Sequence, residues 1–181
     1  ITSFANISEI YNALIDLKAS GKKIYFYFES VSTMQYALAA GTADEIIVSP
    51  MGSVNLKGFS RTGIYLSDFF ERFGIKFYNF RSHDYKTAYN SLTESGMTEG
   101  EREALEYLYS GLQDYLEEII VSGRGGKLKS GIAEIMDKGP YLSSAKALQE
   151  GLIDRRFYSD ELEKWIKENR YSVHSYGKFP P

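Results

Sequence analysis

Two short runs, Lys23 to Glu29 and Asp44 to Pro50, constrain this chain more than any other feature. In the first, Ile24, Tyr25, Phe26, Tyr27 and Phe28 follow one another without the polar alternation of a half-exposed strand. Such a run is expected for a central strand covered on both faces. The second, with Ile46, Ile47 and Val48, has the same character and is closed by Pro50. Between them Ser32 and Thr33 can cap a helix through Met34, Gln35, Tyr36, Ala37, Leu38, Ala39 and Ala40, ended by Gly41. Strand, helix and strand in so few residues predict a parallel crossover, and hence an α/β fold with a mostly parallel sheet.

The flanking segments extend this pattern. Asn6 and Glu9 make a capping box, and Ile7, Ile10, Tyr11, Leu14, Ile15 and Leu17 recur at helical spacing up to Gly21. After a glycine-rich stretch from Met51 to Gly63, Ser67 to Phe73 is a helix candidate ended by Gly74. Ile75 to Phe80 then returns as an aromatic strand, which would complete a third crossover. Thr98 and Glu101 form a second capping box. Leu105, Leu108, Leu112, Tyr115, Leu116, Ile119 and Ile120 carry a long amphipathic helix to Gly123, about 36 Å in length at 1.5 Å per residue.

Beyond it, Arg124, Gly125 and Gly126 lack a preceding strand and a following Gly-Lys-Ser/Thr, so they read as a turn between helices rather than a phosphate loop. Lys127 to Lys138 is a further helix, Gly139 to Ser143 a turn and Ser144 to Glu150 a short helix closed by Gly151. Leu152 to Asp154 is a short strand, and Ser159 to Asn169 a final helix. A single α/β domain over residues 1–170 is expected, lacking its first strands upstream, with 171–181 a tail or the start of a linker. The chain begins at an isoleucine, so a targeting segment is expected upstream.

Composition removes several function classes. At 43% hydrophobic and 25% charged the chain is globular. Its net charge is −3, and its basic residues are dispersed, which argues against nucleic acid as the main partner. Cysteine is absent and the histidines are His83 and His174, so neither a metal centre nor a Ser-His-Asp triad is expected, and no cofactor is implied. The pairs Glu117 with Glu118 and Glu101 with Glu103 lie on the long helix and read as a solvated face. No apolar run reaches the length of about 18 residues that a membrane span requires.

That leaves lysine as the best base. Lys86 follows the aromatic run 75–80 in Arg81-Ser82-His83-Asp84-Tyr85-Lys86-Thr87-Ala88-Tyr89, with Tyr78, Phe80, Tyr85 and Tyr89 around it in sequence. Partial desolvation among these rings would favour the neutral amine, and a neutral lysine is a base. The plainer reading is an ordinary solvated loop lysine.

Several stretches together resemble the signal peptide peptidase A family, also called protease IV. They are Gln35-Tyr36-Ala37-Leu38-Ala39, Asp44 to Pro50, Leu56-Lys57-Gly58-Phe59, Asp84-Tyr85-Lys86-Thr87-Ala88 with Met97-Thr98 and Glu101 to Ala104, and Gly151-Leu152-Ile153-Asp154. The resemblance covers most of the chain and is closest to the amino-terminal half of the long, duplicated bacterial form. It implies the Clp protease/crotonase fold of repeated strand-strand-helix units, with the long helix used in subunit contacts.

It also implies a serine endopeptidase with a Ser-Lys dyad, in which Lys86 is the general base. The serine would come from the carboxy-terminal half of a neighbouring subunit in a homo-oligomer. The family's Ser-Gly-Gly at the start of the helix after the second strand is replaced here by Thr33-Met34-Gln35-Tyr36. Its oxyanion-hole glycine pair is replaced by Phe4-Ala5-Asn6. Implied substrates are cleaved signal peptides and other hydrophobic peptides. The implied location is the extracytoplasmic side of the bacterial inner membrane, held by an anchor outside this chain. Two other readings are a non-catalytic scaffold of the same fold, in which Lys86 pairs with a carboxylate, and a crotonase-like acyl-coenzyme A enzyme.

Overall fold

The computed structural model describes residues 4–169 and 171. His174 and all but the first residue of the expected tail lie outside them. The elements in chain order are α1 (Phe4–Ala19), β1 (Tyr25–Phe28), β2 (Val31–Ser32), α2 (Thr33–Thr42), β3 (Glu45–Val48), β4 (Val54–Asn55), α3 (Ser67–Glu71), α4 (Asn90–Thr93), α5 (Glu99–Arg124), α6 (Ile132–Lys138), α7 (Ser144–Gln149), β5 (Arg155–Arg156) and α8 (Ser159–Glu168). The chain up to Gly58, together with that from Leu116 onward, makes one compact unit. Phe59–Tyr115 makes a second.

The first unit is built on the two apolar runs. β1 and β3 pair in parallel with Tyr25 opposite Glu45 and Phe28 opposite Val48, and β5 adds in parallel to the other side of β3. The helix between them, α2, buries Tyr36, Ala37, Leu38, Ala39, Ala40 and Thr42, so it is enclosed nearly all round. A second small sheet pairs β2 with β4 in parallel, and Tyr141 bridges Val54 from the other side. All the strand pairs among the described residues are parallel, as the crossover pattern requires.

Gly41 does not end α2. The helix continues to Thr42, and the missing side chain serves packing, since a Cβ at Gly41 would lie 2.6 Å from Ile119 Cγ2 and 2.7 Å from the Tyr11 ring. Gly123 on α5 has the reciprocal role, with a Cβ there falling 2.2 Å from the Ala40 carbonyl oxygen. Helix α5 thus approaches α2 at backbone distance, and α1 reaches it through the Tyr11 ring.

Other expectations shift or fail. The helix expected from Lys127 begins at Ile132, and the strand expected over 152–154 forms at Arg155–Arg156. The strand expected over Ile75 to Phe80 is irregular. Among the described residues no strand lies alongside to complete its ladder, and Phe77 turns back on α3 instead, its ring 5.0 Å from that of Phe70. The third crossover is therefore absent.

Asp154 ties the first unit together. Its carboxylate accepts Ile46 N–H at 2.7 Å, Arg124 Nη1 at 2.8 Å and Lys127 Nζ at 2.8 Å. Arg124, whose side chain is only 3% exposed, also donates from Nε to the Gly151 carbonyl at 2.8 Å. Burial alone would push this carboxyl up, but the donors from Arg124, Lys127 and Ile46 outweigh it and hold the group below the usual carboxylate range.

Gly123→Ala should cost about 1–3 kcal/mol in denaturant unfolding through overpacking. Gly111→Ala in the same helix, with nothing within 4 Å of its Cβ position, should gain up to about 1 kcal/mol. Because the folded Asp154 is the more acidic state, its contribution is complete above the unfolded value near pH 4 and is lost as pH falls through the folded value. In acid-titrated unfolding, Asp154→Asn should flatten the stability loss below about pH 4, while costing about 3 kcal/mol at neutral pH through the uncompensated Arg124.

Candidate active site

Lys86 lies in the second unit, in a segment with neither helix nor strand between Arg81 and Asn90. Two backbone bonds shape it: Lys86 N–H to the His83 carbonyl at 3.1 Å and Asn90 N–H to the Thr87 carbonyl at 3.0 Å. Lys86 thus sits where one turn hands over to the next. It lines an open pocket of about 560 Å³ whose walls include Asn79, Phe80, Tyr85, Thr87 and Tyr89.

The aromatic shell expected to dry this lysine does not enclose it within its unit. Phe80 is 95% exposed, Tyr78, Tyr85 and Tyr89 are all more than half exposed, and Lys86 itself is exposed. Without a strand over 75–80, Tyr78 and Phe80 have no sheet to pack on. Among the described residues the Lys86 ammonium has neither a hydrogen-bond nor an ion-pair partner. His83 is exposed nearby, contributing a backbone carbonyl rather than a side-chain ligand. No group of three metal-ligating residues is found among the described residues.

The segment is fixed by groups that the sequence did not single out for this purpose. Asn90, 1% exposed, accepts Arg81 Nη1 at 3.2 Å through Oδ1. Its amide Nδ2 donates to Thr98 Oγ1 at 3.2 Å and to Glu101 Oε2 at 3.0 Å. Glu101 was expected on a solvated face but is 8% exposed. The Thr98 and Glu101 capping pair is half realised: Thr98 Oγ1 accepts Glu101 N–H at 3.3 Å, while the carboxylate turns to Asn90. Burial, and then the neighbouring Glu101 carboxylate, push the Tyr65 phenol up. Next to Lys86, Tyr85 donates to Glu103 at 2.7 Å, and this bond pushes the Tyr85 phenol up.

Thr33 stands where the resemblance would place a nucleophile, at the start of α2. Its hydroxyl lies 2.9 Å from the Asn55 carbonyl and 3.1 Å from the Lys57 carbonyl, donating to one at a time, and accepts Lys57 N–H at 3.1 Å. The hydroxyl is occupied in tying α2 to the segment after β4. It is not presented to a reacting carbonyl.

Comparison with known proteins adds a family. A model described as peptidase family S49 matches residues 16–172. A protein called protease 4 from Salmonella typhi is 31% identical over 92% of this chain, which spans 29% of that protein. One called serine protease SPPA, chloroplastic, from Arabidopsis thaliana is 27% identical over 98% of this chain, which spans 26% of it. A protease 4 from Haemophilus influenzae is 30% identical over 49% of the chain. The chain thus spans less than a third of the relatives it matches.

A fluorophosphonate reagent of the kind that labels activated serines is expected to leave Thr33 unmodified in this chain. Peptide mass mapping that finds the adduct on residue 33 would instead make Thr33 the nucleophile.

Proposed function

Because the chain belongs to peptidase family S49, with an α/β fold of the Clp/crotonase type, we propose that it is the lysine-bearing part of a Ser-Lys dyad serine endopeptidase. Lys86 is the general base. The observation that carries this reading is an exposed, unpartnered ammonium at the one lysine of Asp84-Tyr85-Lys86-Thr87-Ala88, held in a pocket with room for other side chains. A scaffold role, in which Lys86 would pair with a carboxylate, is disfavoured because none of the described residues provides one.

The chemistry follows from the base. A serine hydroxyl attacks a peptide carbonyl only when a neutral group takes its proton as the new bond forms, and a lysine can do this once its charge has been destabilised by several kcal/mol. Neutral Nζ of Lys86 accepts the Oγ proton while Oγ bonds to the carbonyl carbon. It then returns that proton to the departing amine, leaving an acyl-enzyme that water cleaves by the same relay. The nucleophile belongs to the carboxy-terminal part of the protein, in keeping with the engagement of Thr33 within its own unit. That apposed part also supplies the desolvation that residues 59–115 alone do not.

Assembly into a homo-oligomer brings the two parts together, supported by Tyr107 and Leu108, which α5 leaves 84% and 51% exposed. Substrates are cleaved signal peptides and other hydrophobic peptides, met at the extracytoplasmic face of a bacterial membrane. No described helix is long and apolar enough to cross a membrane, so this reading places the anchor outside the described residues.

In the full-length protein, Lys86→Ala should lower peptide hydrolysis roughly a thousandfold while the assembly remains intact by size-exclusion chromatography. The isolated 181-residue chain should have no peptidase activity. Normal turnover by the alanine variant would refute the role of Lys86.

A further inference from the structure

We infer that Asn90 and Glu101 are positioning residues for Lys86, an assignment that rests on the proposed role of that lysine. The buried side chains of Phe59–Tyr115 are these two polar ones, whereas every apolar side chain in the unit keeps some exposure. A pair chosen for burial alone would be apolar, since an amide and a carboxylate away from water are costly unless each finds partners. Asn90 finds three. One of its amide hydrogens goes to Thr98, the other to Glu101, and its oxygen takes Arg81.

The geometry connects this pair to the lysine. Arg81 and Asn90 are the first and last residues of the segment that carries Lys86, and their side chains close its neck across 3.2 Å. Arg81 also lies 3.8 Å from the Glu94 carboxylate, which steadies the guanidinium from the far side of α4. Through Thr98 and Glu101, Asn90 fastens that neck to the first turn of α5. On the other flank of Lys86, Tyr85 is tied to Glu103 one half-turn further along the same helix. The Asp84 carbonyl lies so near Gly100 that a Cβ there would sit 3.1 Å from it.

The segment therefore has no ladder of its own and takes its shape from α5, with the lysine between two points of attachment. A base must reach a hydroxyl within hydrogen-bond distance, and a misplacement of about 1 Å costs on the order of a hundredfold in rate. Asn90 and Glu101 touch no reacting atom in this scheme. They act through the backbone that carries Lys86, and so they should affect turnover rather than substrate binding.

The test uses the full-length protein and a fluorogenic hydrophobic peptide, with Asn90→Ala, Glu101→Ala, Glu101→Gln, the Asn90→Ala/Glu101→Ala double variant and Lys86→Ala side by side. Asn90→Ala and Glu101→Ala should each lower kcat about 10–100-fold with KM within about twofold. The double variant should be little worse than either single one, because both remove the same link. Glu101→Gln, whose amide oxygen still accepts the Asn90 hydrogen, should stay within about threefold of the parent.

The inference is overturned if Asn90→Ala keeps the parental kcat, if the loss merely follows the folded fraction measured by thermal melting, or if Glu101→Gln is as impaired as Glu101→Ala. Should Asn90→Ala not fold, the contrast between the two Glu101 variants decides the matter. Lys86→Ala keeps the two claims apart: an active Lys86→Ala defeats the base assignment itself. An inactive Lys86→Ala beside a fully active Asn90→Ala defeats the positioning role alone.

Discussion

The carboxylate of Asp154 receives hydrogens from a strand, a helix end and a loop at once, and the larger unit is arranged around that convergence. Ile46 N–H fixes the level at which the chain after Gly151 meets β3, which in turn sets Ile47 opposite Arg155. Arg124 brings the last turn of α5 to the same point and occupies the Gly151 carbonyl. Gly151 itself adopts φ of +79°, and a Cβ there would sit 2.0 Å from the Lys127 carbonyl, so only glycine allows this approach. An ion pair of this kind contributes little to net stability compared with an apolar replacement, but a partial version of it is very costly. That asymmetry makes it a specifier: alternative registers would leave Arg124 or Asp154 buried and alone.

The two units solve burial in opposite ways. Around α2 the solution is small residues and backbone contact, with Ala37, Ala39, Ala40 and Gly41 letting α1 and α5 approach. Residues 59–115 instead organise around Asn90 and Glu101, and they leave rings such as Phe69, Phe73 and Phe80 largely in solvent. Dispersion and hydrophobic burial tolerate small shifts, whereas hydrogen bonds of fixed length and direction do not. The chemistry of the proposed site thus rests on the more directional of the two kinds of packing.

What could be read from the sequence follows from the range of each interaction. Helix α5 was legible because its apolar residues recur at helical spacing. So was the β1, α2, β3 crossover, because uninterrupted apolar runs announce strands. The expected cover on both faces fails for β1, which lies at the edge of its sheet among the described residues, with all four of its residues only half-buried. Lys86 was singled out through its neighbours in sequence and the family they resemble, and its role as base is the proposal made above. The strand over 75–80 was misread because aromatic composition describes a preference for strands, whereas a strand needs an adjacent ladder. Gly41 was misread as a stop because a packing glycine and a terminating glycine look alike in a single sequence. Asn90 and Glu101 were missed because no periodicity marks a polar pair 11 residues apart. The unused clue was the capping pair Thr98 and Glu101, where a carboxylate expected to turn back on its own helix was free to take an outside donor.

Helix α5 runs unbroken through 26 residues, yet the boundary between the units falls at Tyr115 and Leu116, inside it. Its later portion carries Leu116, Ile119 and Ile120 into the apolar core and ends on the buried Arg124. Its earlier portion is anchored by polar contacts near Glu101 and is otherwise wet. The lysine segment is therefore fastened to the portion of α5 whose one buried side chain is the carboxylate of Glu101, so its attachment depends on a few directional bonds and not on an apolar core.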